Sequence, residues 1–264
     1  MQQKWAELNG IKLRYLEYGS ENKRHVLLIH GLGSSADRWL GIPNFLSKDL
    51  HVVVIDLPGF GESEKPKVNY SMEYFRDTIT DFIEYLKIND EKLSLIGHSL
   101  GGYIASEVTI QNKNKIEKLA LIDSSGFLEK PTPLLEEYLK VAINPTNDSV
   151  RKVFEQMVAD PARIPTKLVE GFITRINLPN AKHAFESTLK YSANTQIGLE
   201  RLKQIDGIPT LVIWGIKDEV IPISHLEFFK NITDLQIKII DDSGHAPFAE
   251  KPEQVGKILH NFLV

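Results

Sequence analysis

Short apolar runs alternate with stretches of helical periodicity over most of the chain. The runs that predict β-strands are Val26–His30, Val52–Asp56, Leu93–Gly97, Lys118–Asp123, Thr210–Trp214 and Gln236–Ile240. Because these runs are apolar at nearly every position, they are typical of strands covered on both faces, as in a parallel sheet. Helical patterns occur at Met72–Leu86, Leu100–Gln111 and Val255–Leu263. The alternation predicts an α/β fold with a mainly parallel central sheet and helices on both of its faces.

The amino-terminal segment follows a different pattern. Apolar and polar residues alternate over Lys4–Leu8 and over Ile11–Glu17, and Asn9-Gly10 lies between the two. An Asn-Gly pair between alternating runs is typical of a tight β-hairpin. The sequence therefore predicts an antiparallel hairpin ahead of the parallel part of the sheet.

The middle of the chain, from about Phe127 to about Ile205, contains no strand pattern. Helical stretches are predicted at Leu134–Ile143, Val150–Val158, Lys167–Ile176 and Ala181–Tyr191. Prolines separate these stretches, and proline is disfavoured inside a helix because it lacks the N–H donor and its ring clashes with the preceding turn. We therefore predict a core formed by residues 1–126 and 206–264, with an all-helical cap of residues 127–205 inserted between two strands.

The amino-acid composition excludes several classes of function for this chain. The chain has 264 residues, of which 42% are hydrophobic, as in an ordinary globular protein. Its 31 lysines and arginines against 35 acidic residues give a net charge of −4, which predicts neither a nucleic-acid partner nor a membrane partner. The lack of cysteine excludes disulfides, thiolate metal ligands and a cysteine nucleophile. Since the amino terminus lacks a signal-peptide pattern, we expect a cytoplasmic location.

The strongest local signal is the segment Gly97-His98-Ser99-Leu100-Gly101. It follows a predicted strand and precedes a predicted helix, which is the setting of a strained turn that exposes a serine hydroxyl. Glycines two positions before and after Ser99 leave room for such a turn. The pattern predicts Ser99 as a catalytic nucleophile, and the alternative is a glycine-rich turn with a bystander serine.

A serine nucleophile needs a base that a third group holds in place. In enzymes with a serine at a strand-to-helix turn, the acid and then the histidine follow the serine along the chain. This order leaves His225, His245 and His260. His260 falls on the polar side of an amphipathic helix, and His225 lies in a predicted helix. His245 lies in a loop marked by glycine and proline after the last strand, where catalytic groups concentrate, and it is the predicted base.

Two aspartates are candidates for the group that orients His245. Asp218 follows one predicted strand, and Asp123 ends the strand before it. We favour Asp218 because it stands at the position usual for this type of enzyme, and Asp123 stays a rival. For either residue the alternative is a turn aspartate that accepts hydrogen bonds from local backbone donors.

The turn His30-Gly31-Leu32-Gly33 closes the first parallel strand. Main-chain donors from such a turn, together with the N–H after the nucleophile, form an oxyanion hole in enzymes of this type. We therefore predict that the N–H groups of Leu32 and Leu100 stabilise the oxyanion. The side chains matter little for this role.

The same turn supports a competing interpretation. The segment 31–36 fits G-x-G-x-x-A, and Asp56 ends the next strand about 20 residues on, as in a dinucleotide-binding site. A proline interrupts the helix that such a site requires, and the serine, aspartate and histidine motifs would have no role. A zinc site formed by His30, His98 and His245 is also disfavoured, because no metal-ligand spacing is present. We expect neither a cofactor nor a metal.

Together the motifs resemble the α/β-hydrolase family, in the branch with a helical cap. The matching segments are His30-Gly31-Leu32-Gly33, Asp56-Leu57-Pro58-Gly59-Phe60-Gly61-Glu62-Ser63, Gly97-His98-Ser99-Leu100-Gly101-Gly102, Gly215-Ile216-Lys217-Asp218 and Gly244-His245-Ala246-Pro247, in family order. The serine at position 99 disfavours the haloalkane dehalogenases and epoxide hydrolases of this fold, which place an aspartate there. The lack of cysteine disfavours the dienelactone hydrolases.

The resemblance implies a serine hydrolase that cleaves carboxylic esters or lactones through an acyl-enzyme, with no cofactor. The implied triad is Ser99, His245 and Asp218. A small, mostly apolar ester is the expected partner, because aromatic residues recur in the predicted cap. These residues are Phe127, Phe154, Phe172 and Phe185.

Two other functions stay open at this point. The first is hydrolysis of a carbon–carbon bond next to a ketone, for which Arg163, Lys167 and Arg175 are candidates to hold a substrate carboxylate. The second is a receptor for a small molecule, since some relatives of the fold have that role. Replacement of Ser99 separates these classes, because a receptor keeps its ligand affinity and an esterase loses turnover.

Overall fold

The computed structural model describes residues 1–39, 41–88, 93–192 and 196–264. Its centre is an eight-stranded sheet with the order β1-β2-β4-β3-β5-β6-β7-β8. The strands are β1 (Gln2–Leu8), β2 (Ile11–Tyr18), β3 (His25–Ile29), β4 (His51–Ile55), β5 (Leu93–His98), β6 (Ile116–Ile122), β7 (Thr210–Gly215) and β8 (Leu235–Ile240). Strands β3 to β8 are mutually parallel, and β2 pairs antiparallel with both β1 and β4. The predicted α/β fold with a mainly parallel sheet is confirmed.

The predicted amino-terminal hairpin is also confirmed. Strands β1 and β2 pair in register from Gln2–Glu17 to Leu8–Ile11. Asn9 and Gly10 form the turn with φ of 51° and 77°. Positive φ at both central positions is the geometry that an Asn-Gly hairpin turn adopts, because its twist matches that of the strands.

Helices cover both faces of the sheet. They are α1 (Pro43–Leu46), α2 (Met72–Tyr85), α3 (Leu100–Gln111), α4 (Pro133–Ile143), α5 (Asn147–Gln156), α6 (Thr166–Ile176), α7 (Ala181–Ser192), α8 (Leu199–Leu202), α9 (Pro247–Glu250) and α10 (Pro252–Leu263). Short 3₁₀ segments lie at Ala36–Trp39, Pro161–Arg163, Lys203–Ile205 and Ile223–Phe229. None of the described helices is both long and apolar enough to cross a membrane.

The period-two alternation of the strands divides the core between the two faces. In β3, Leu27 and Ile29 point into the cluster that contains α2 and α3. Val26 and Leu28 point into the other cluster, which contains α10. All positions of β3 after His25 are therefore buried, which explains the continuous apolar runs of the sequence.

Strand β8 departs from this pattern. The sequence predicts burial on both faces for Gln236–Ile240, and this expectation is wrong. Ile237 and Ile239 are 39% and 47% exposed. The reason is the strand order, because β8 is the last strand of the sheet and pairs only with β7 in the described chain.

Residues between β6 and β7 form an insertion that contains helices α4 to α8 and, in its described part, no strand. The predicted cap range 127–205 includes residues 193–195, which lie outside the described residues. The chain leaves the core for the insertion and returns from it at neighbouring positions, because the N–H of Ile197 donates to the carbonyl oxygen of Gly126 at 2.8 Å. Helix α8 lies within the predicted cap range but packs on α3 of the core, where Nε of Arg201 donates to Glu107 at 2.7 Å. The boundaries of the cap stay a prediction.

Candidate active site

A cavity of about 490 Å³ lies between the sheet and the insertion. Since β3, β5, β7 and β8 run parallel, the loops that follow them meet at the same edge of the sheet, where open α/β sheets bind their ligands. Gly31, Leu32, Ser99 and His245 line the cavity from this edge. Residues of α4, α5 and α6 line it from the other side. Apolar walls with a few polar groups are typical of small-molecule sites.

Ser99 occupies the turn between β5 and α3 in a strained conformation. Its φ of 52° and ψ of −119° are rare for a residue with a side chain. The surroundings hold the turn, because the Ser99 carbonyl oxygen accepts from the N–H groups of Gly102, Tyr103 and Ser125. Its own N–H donates to Ile122 O at 3.0 Å.

The glycines on both sides of Ser99 are required by close approaches of the backbone. A Cβ atom at Gly97 would lie 2.2 Å from the carbonyl oxygen of Gly101. A Cβ atom at Gly101 would lie 2.2 Å from the carbonyl oxygen of Ile29. The G-x-S-x-G spacing therefore has a steric origin in this chain.

The structure brings His245 and Asp218 into direct contact. Nδ1 of His245 lies 2.7 Å from Oδ2 of Asp218, and both side chains are buried. Oδ1 of Asp218 accepts from the N–H groups of Val220 at 2.8 Å and Ile221 at 3.0 Å. Both oxygens of the Asp218 carboxylate are therefore held by hydrogen bonds. The carboxylate favours the His245 tautomer that carries a proton on Nδ1, and Nε2 of His245 is then free to act as a base.

Both main-chain groups of His245 are also hydrogen-bonded. Its N–H donates to the carbonyl oxygen of Met157, at the end of α5, at 2.8 Å. Its carbonyl oxygen accepts from Nε2 of His98 at 2.6 Å. Burial lowers the pKa of His98 well below its usual value, and the neighbouring His245 acts in the same direction. His98 is therefore a neutral imidazole that donates from Nε2.

The rival acid Asp123 lies beside Asp218, at the end of the neighbouring strand. Its φ is 44°, and its Oδ1 accepts from the N–H of Gly215 at 2.9 Å. Burial raises the pKa of Asp123 well above its usual range, and the Asp218 carboxylate raises it further. Both effects favour the protonated form of Asp123, whereas the orienting acid of a triad acts as a carboxylate.

The other histidine candidates lie outside the cavity lining. Nε2 of His260 bonds to Asp49 at 2.8 Å on another surface of the core. His225 belongs to the 3₁₀ segment Ile223–Phe229, where its ring lies 5.7 Å from that of Phe228. Asp242 forms an exposed ion pair with Lys217 at 2.8 Å. Of the histidines that follow Ser99, only His245 is brought to the cavity within the described residues.

Leu32 and Leu100, whose N–H groups are the predicted oxyanion donors, belong to two different segments of the chain. Leu32 lies in the turn after β3 and lines the cavity, and its carbonyl oxygen accepts from the Tyr138 hydroxyl at 3.4 Å. Leu100 is the first residue of α3, so its N–H belongs to the helix turn whose donors have no partner within the helix. The position of both residues suits oxyanion donors, and that role stays a prediction.

Two residues on which the competing interpretations depend, a dinucleotide site and a zinc site, have other contacts in the structure. Asp56 would bind the ribose in a dinucleotide site. In the structure it is buried, and its carboxylate accepts from Arg14 at 3.1 Å and from the Glu62 N–H at 2.8 Å. His30 bonds to Gly31 O through Nδ1 and accepts from the Leu57 N–H through Nε2. No group of three His, Asp or Glu residues in the described part of the chain is placed to hold a metal ion.

Several cavity residues had no signal in the sequence. Of the aromatic residues singled out there, Phe154 and Phe172 line the cavity. Phe127 packs instead on Phe228, with ring centroids 4.8 Å apart, and Phe185 packs on Tyr138. Of the three cationic candidates, Lys167 and Arg175 line the cavity, whereas Arg163 pairs with Asp160 at the surface. Arg38 and Met157 also line it, and no motif marked either residue.

Comparison with known proteins places these features in a family. The family model of the alpha/beta hydrolase fold matches residues 24–252. The "Dihydrolipoyllysine-residue acetyltransferase component of acetoin cleaving system" of Pseudomonas putida is 28% identical over 98% of this chain and 68% of its own length. A monoacylglycerol lipase of Xenopus laevis is 28% identical over 98% of this chain and 84% of its own.

Solved structures agree on the fold. A meta-cleavage product hydrolase of Pseudomonas fluorescens superposes with a TM-score of 0.89 at 23% identity. The match covers 98% of this chain and 96% of that chain. At this identity the likeness shows the arrangement of the chain, and function has to be argued from the site itself.

Proposed function

Because the chain belongs to the α/β-hydrolase family, we propose that it hydrolyses carboxylic esters or lactones of small, mostly apolar substrates. Ser99 is the nucleophile, His245 the base and Asp218 the group that orients His245. The observation that carries the proposal is the 2.7 Å hydrogen bond between His245 and Asp218, with His245 and the strained Ser99 lining one cavity. A nucleophile, a base and an orienting group at one site suit acyl transfer.

The proposed reaction has two halves. Ser99 Oγ attacks the ester carbonyl carbon while its proton passes to Nε2 of His245, and the N–H groups of Leu32 and Leu100 stabilise the oxyanion. The C–O bond to the alcohol then breaks, and the alcohol leaves with the proton from His245. Water attacks the acyl-enzyme in the same way, His245 takes its proton, and the acid is released as Ser99 regains a hydrogen.

In this proposal the insertion acts as a cap over the reacting groups. Tyr138, Phe154 and Phe172 belong to its helices and line the cavity. An apolar cover excludes water, which strengthens the electrostatic interactions of the charges that develop during the reaction. The same wall favours an apolar acyl or alcohol group.

The test is hydrolysis of p-nitrophenyl acetate and p-nitrophenyl butyrate by the wild type and by Ser99→Ala. We expect kcat/KM to fall by at least about a thousandfold in the variant. Ser106→Ala is the matched control, because this buried serine of α3 bonds only to Gly102 O and should keep wild-type turnover. Equal turnover by the wild type and Ser99→Ala, or none by the wild type, would overturn the proposal.

A second candidate function is hydrolysis of a carbon–carbon bond next to a ketone. The observation that favours it is the position of Lys167 and Arg175, two cations of α6 that line the cavity. They would hold a carboxylate of the substrate. The discriminating assay offers a 2-hydroxy-6-oxo-dienoate beside the p-nitrophenyl esters, and faster turnover of the dienoate would move the assignment to this second function. If both compounds bind to Ser99→Ala and neither is turned over by the wild type, the receptor alternative is favoured.

A further inference from the structure

Arg38 and Arg175 differ from every other arginine of the chain. The others each have a carboxylate or carbonyl acceptor in the structure: Arg14, Arg24, Arg76, Arg151, Arg163 and Arg201. Nε of Arg175 is buried and has no acceptor in the described part of the chain. Arg38 makes no side-chain hydrogen bond or ion pair with any described residue. Both exceptions line the cavity that contains Ser99.

The two arginines come from opposite walls of the cavity. Arg38 belongs to the 3₁₀ segment Ala36–Trp39, which follows the Gly31–Gly33 turn of the core. Arg175 lies in the last turn of α6, in the insertion. A ligand that bonds to both would therefore join the core to the insertion.

Acidic residues near the two arginines are already engaged. Asp37 lines the cavity, but its two oxygens accept from Arg14 at 2.9 and 3.0 Å. Glu250 accepts from the N–H groups of Ala159 and Gly244, both at 2.8 Å. Neither carboxylate forms an ion pair with Arg38 or Arg175, so neither guanidinium has an ion-pair partner among the described residues.

Burial of a guanidinium without a partner is unfavourable. Burial lowers the pKa of Arg38, against a smaller opposing effect of Glu250, and Arg175 adds like-charge repulsion. Buried charges in proteins are normally paired, so an unpaired guanidinium at a cavity wall suits an anionic ligand. A planar carboxylate suits a guanidinium best, because two parallel N–H···O bonds form at once.

We propose that Arg38 and Arg175 form an anion-binding subsite, and that the preferred substrate of this chain carries a carboxylate in addition to the bond that is cleaved. The statement about the substrate rests on the proposed hydrolase function, whereas the binding of an anion does not. The apolar walls then hold the chain that joins the two ends of the substrate. The class of substrate is a half-ester of a short dicarboxylic acid, or a lactone or ketone that bears a carboxylate.

The first experiment measures binding alone, in the Ser99→Ala protein, by calorimetric titration with glutarate and with its neutral analogue 1,5-pentanediol. We expect glutarate to bind at least tenfold more tightly than the diol. Adding Arg175→Gln or Arg38→Gln should weaken glutarate binding at least tenfold. Arg163→Gln is the matched control, since Arg163 lies on the same insertion outside the cavity lining, and it should change binding less than twofold.

The second experiment measures turnover of mono-p-nitrophenyl glutarate and p-nitrophenyl butyrate. We expect Arg175→Gln to raise KM for the half-ester at least tenfold more than it raises KM for the butyrate ester. Thermal unfolding of each variant shows whether it is folded, and Arg175→Lys, which keeps the charge without the planar fork, should give an intermediate KM.

The two proposals fail in different ways. Glutarate binding that depends on both arginines, without turnover of any ester, would keep the anion subsite and overturn the ester hydrolase. Ester turnover that depends on Ser99, with glutarate affinity unchanged in both arginine variants or no better than that of the diol, would overturn the subsite. In that case the hydrolase proposal would still hold.

Discussion

The carbonyl oxygen of Met157 accepts a hydrogen bond from the main-chain N–H of His245 at 2.8 Å. Met157 follows α5 in the insertion, and His245 lies in the loop after β8 of the core. The predicted base is thus held in part by the insertion. A shift of α5 would move the His245 loop and change both the shape of the cavity and the position of the base.

Gly244→Ala should disturb this contact. A Cβ atom at Gly244 would lie 2.4 Å from the Met157 carbonyl oxygen and 2.8 Å from Val158 Cα. We expect the free energy of unfolding to fall by about 1–3 kcal/mol, as for other overpacked positions, together with a fall in kcat. Denaturant unfolding and ester hydrolysis measure the two effects. Gly198→Ala is the control, because no atom lies within 4 Å of that Cβ, and wild-type values for Gly244→Ala would contradict the steric argument.

Asp218→Asn tests which aspartate orients the base. Asn keeps an oxygen for the N–H groups of Val220 and Ile221, but its amide nitrogen cannot accept from Nδ1 of His245. We expect kcat to fall by about 10³–10⁴-fold with little change in Tm. Asp123→Asn should keep most of the activity. A large loss in Asp123→Asn with a small loss in Asp218→Asn would make Asp123 the orienting acid.

Asp123 should also make the stability of the protein depend on pH. Since its pKa is raised in the folded state, the unfolded chain releases this proton at a lower pH than the folded chain does. The contribution of Asp123 to stability therefore falls by up to about 1.4 kcal/mol per pH unit from about pH 4 up to the raised pKa. Asp123→Asn removes this dependence, so its unfolding free energy relative to wild type should increase with pH over that range. Urea unfolding from pH 4 to 8 measures it, and a constant difference would contradict the raised pKa of Asp123.

His98→Ala should affect the reaction through His245. Loss of the Nε2 donor leaves the buried His245 carbonyl oxygen without its 2.6 Å hydrogen bond, at a cost of about 1–3 kcal/mol in unfolding free energy. We expect kcat to fall while KM changes little, because His98 positions the loop of the base. His260→Ala, at the ion pair with Asp49, should leave kcat unchanged. Equal kcat in wild type and His98→Ala would show that the loop keeps its position without the His98 contact.

The sequence predicts some of these features well because their causes are local. Gly97 is required by the Gly101 carbonyl oxygen within the same turn, which is a local cause. Gly101 is required by the Ile29 carbonyl oxygen of β3, and only the recurring G-x-S-x-G spacing makes that requirement visible in the sequence. Parallel order is likewise visible in the continuous apolar runs. The exposure of Ile237 and Ile239 was not predictable, since it depends on which strand ends the sheet.

Other features depend on contacts between distant parts of the chain. Asp123 and Asp218 both follow strands, and only the folded chain shows that Asp218 contacts His245 whereas Asp123 bonds to the Gly215 N–H. The same holds for the arginines. Arg38 and Arg163 look alike in the sequence, yet Arg38 lines the cavity with no acceptor among the described residues, whereas Arg163 pairs with Asp160.

The hydrogen bond between Ile197 and Gly126 closes the insertion into a loop with a narrow neck. A segment of another length or sequence can therefore replace it during evolution without any change in the order of the strands. Such exchange would alter which molecules are accepted and leave Ser99, the proposed nucleophile, in place, so that selectivity and chemistry can diverge separately. A replacement segment would still have to place a hydrogen-bond acceptor opposite the His245 N–H, where the Met157 carbonyl oxygen now lies.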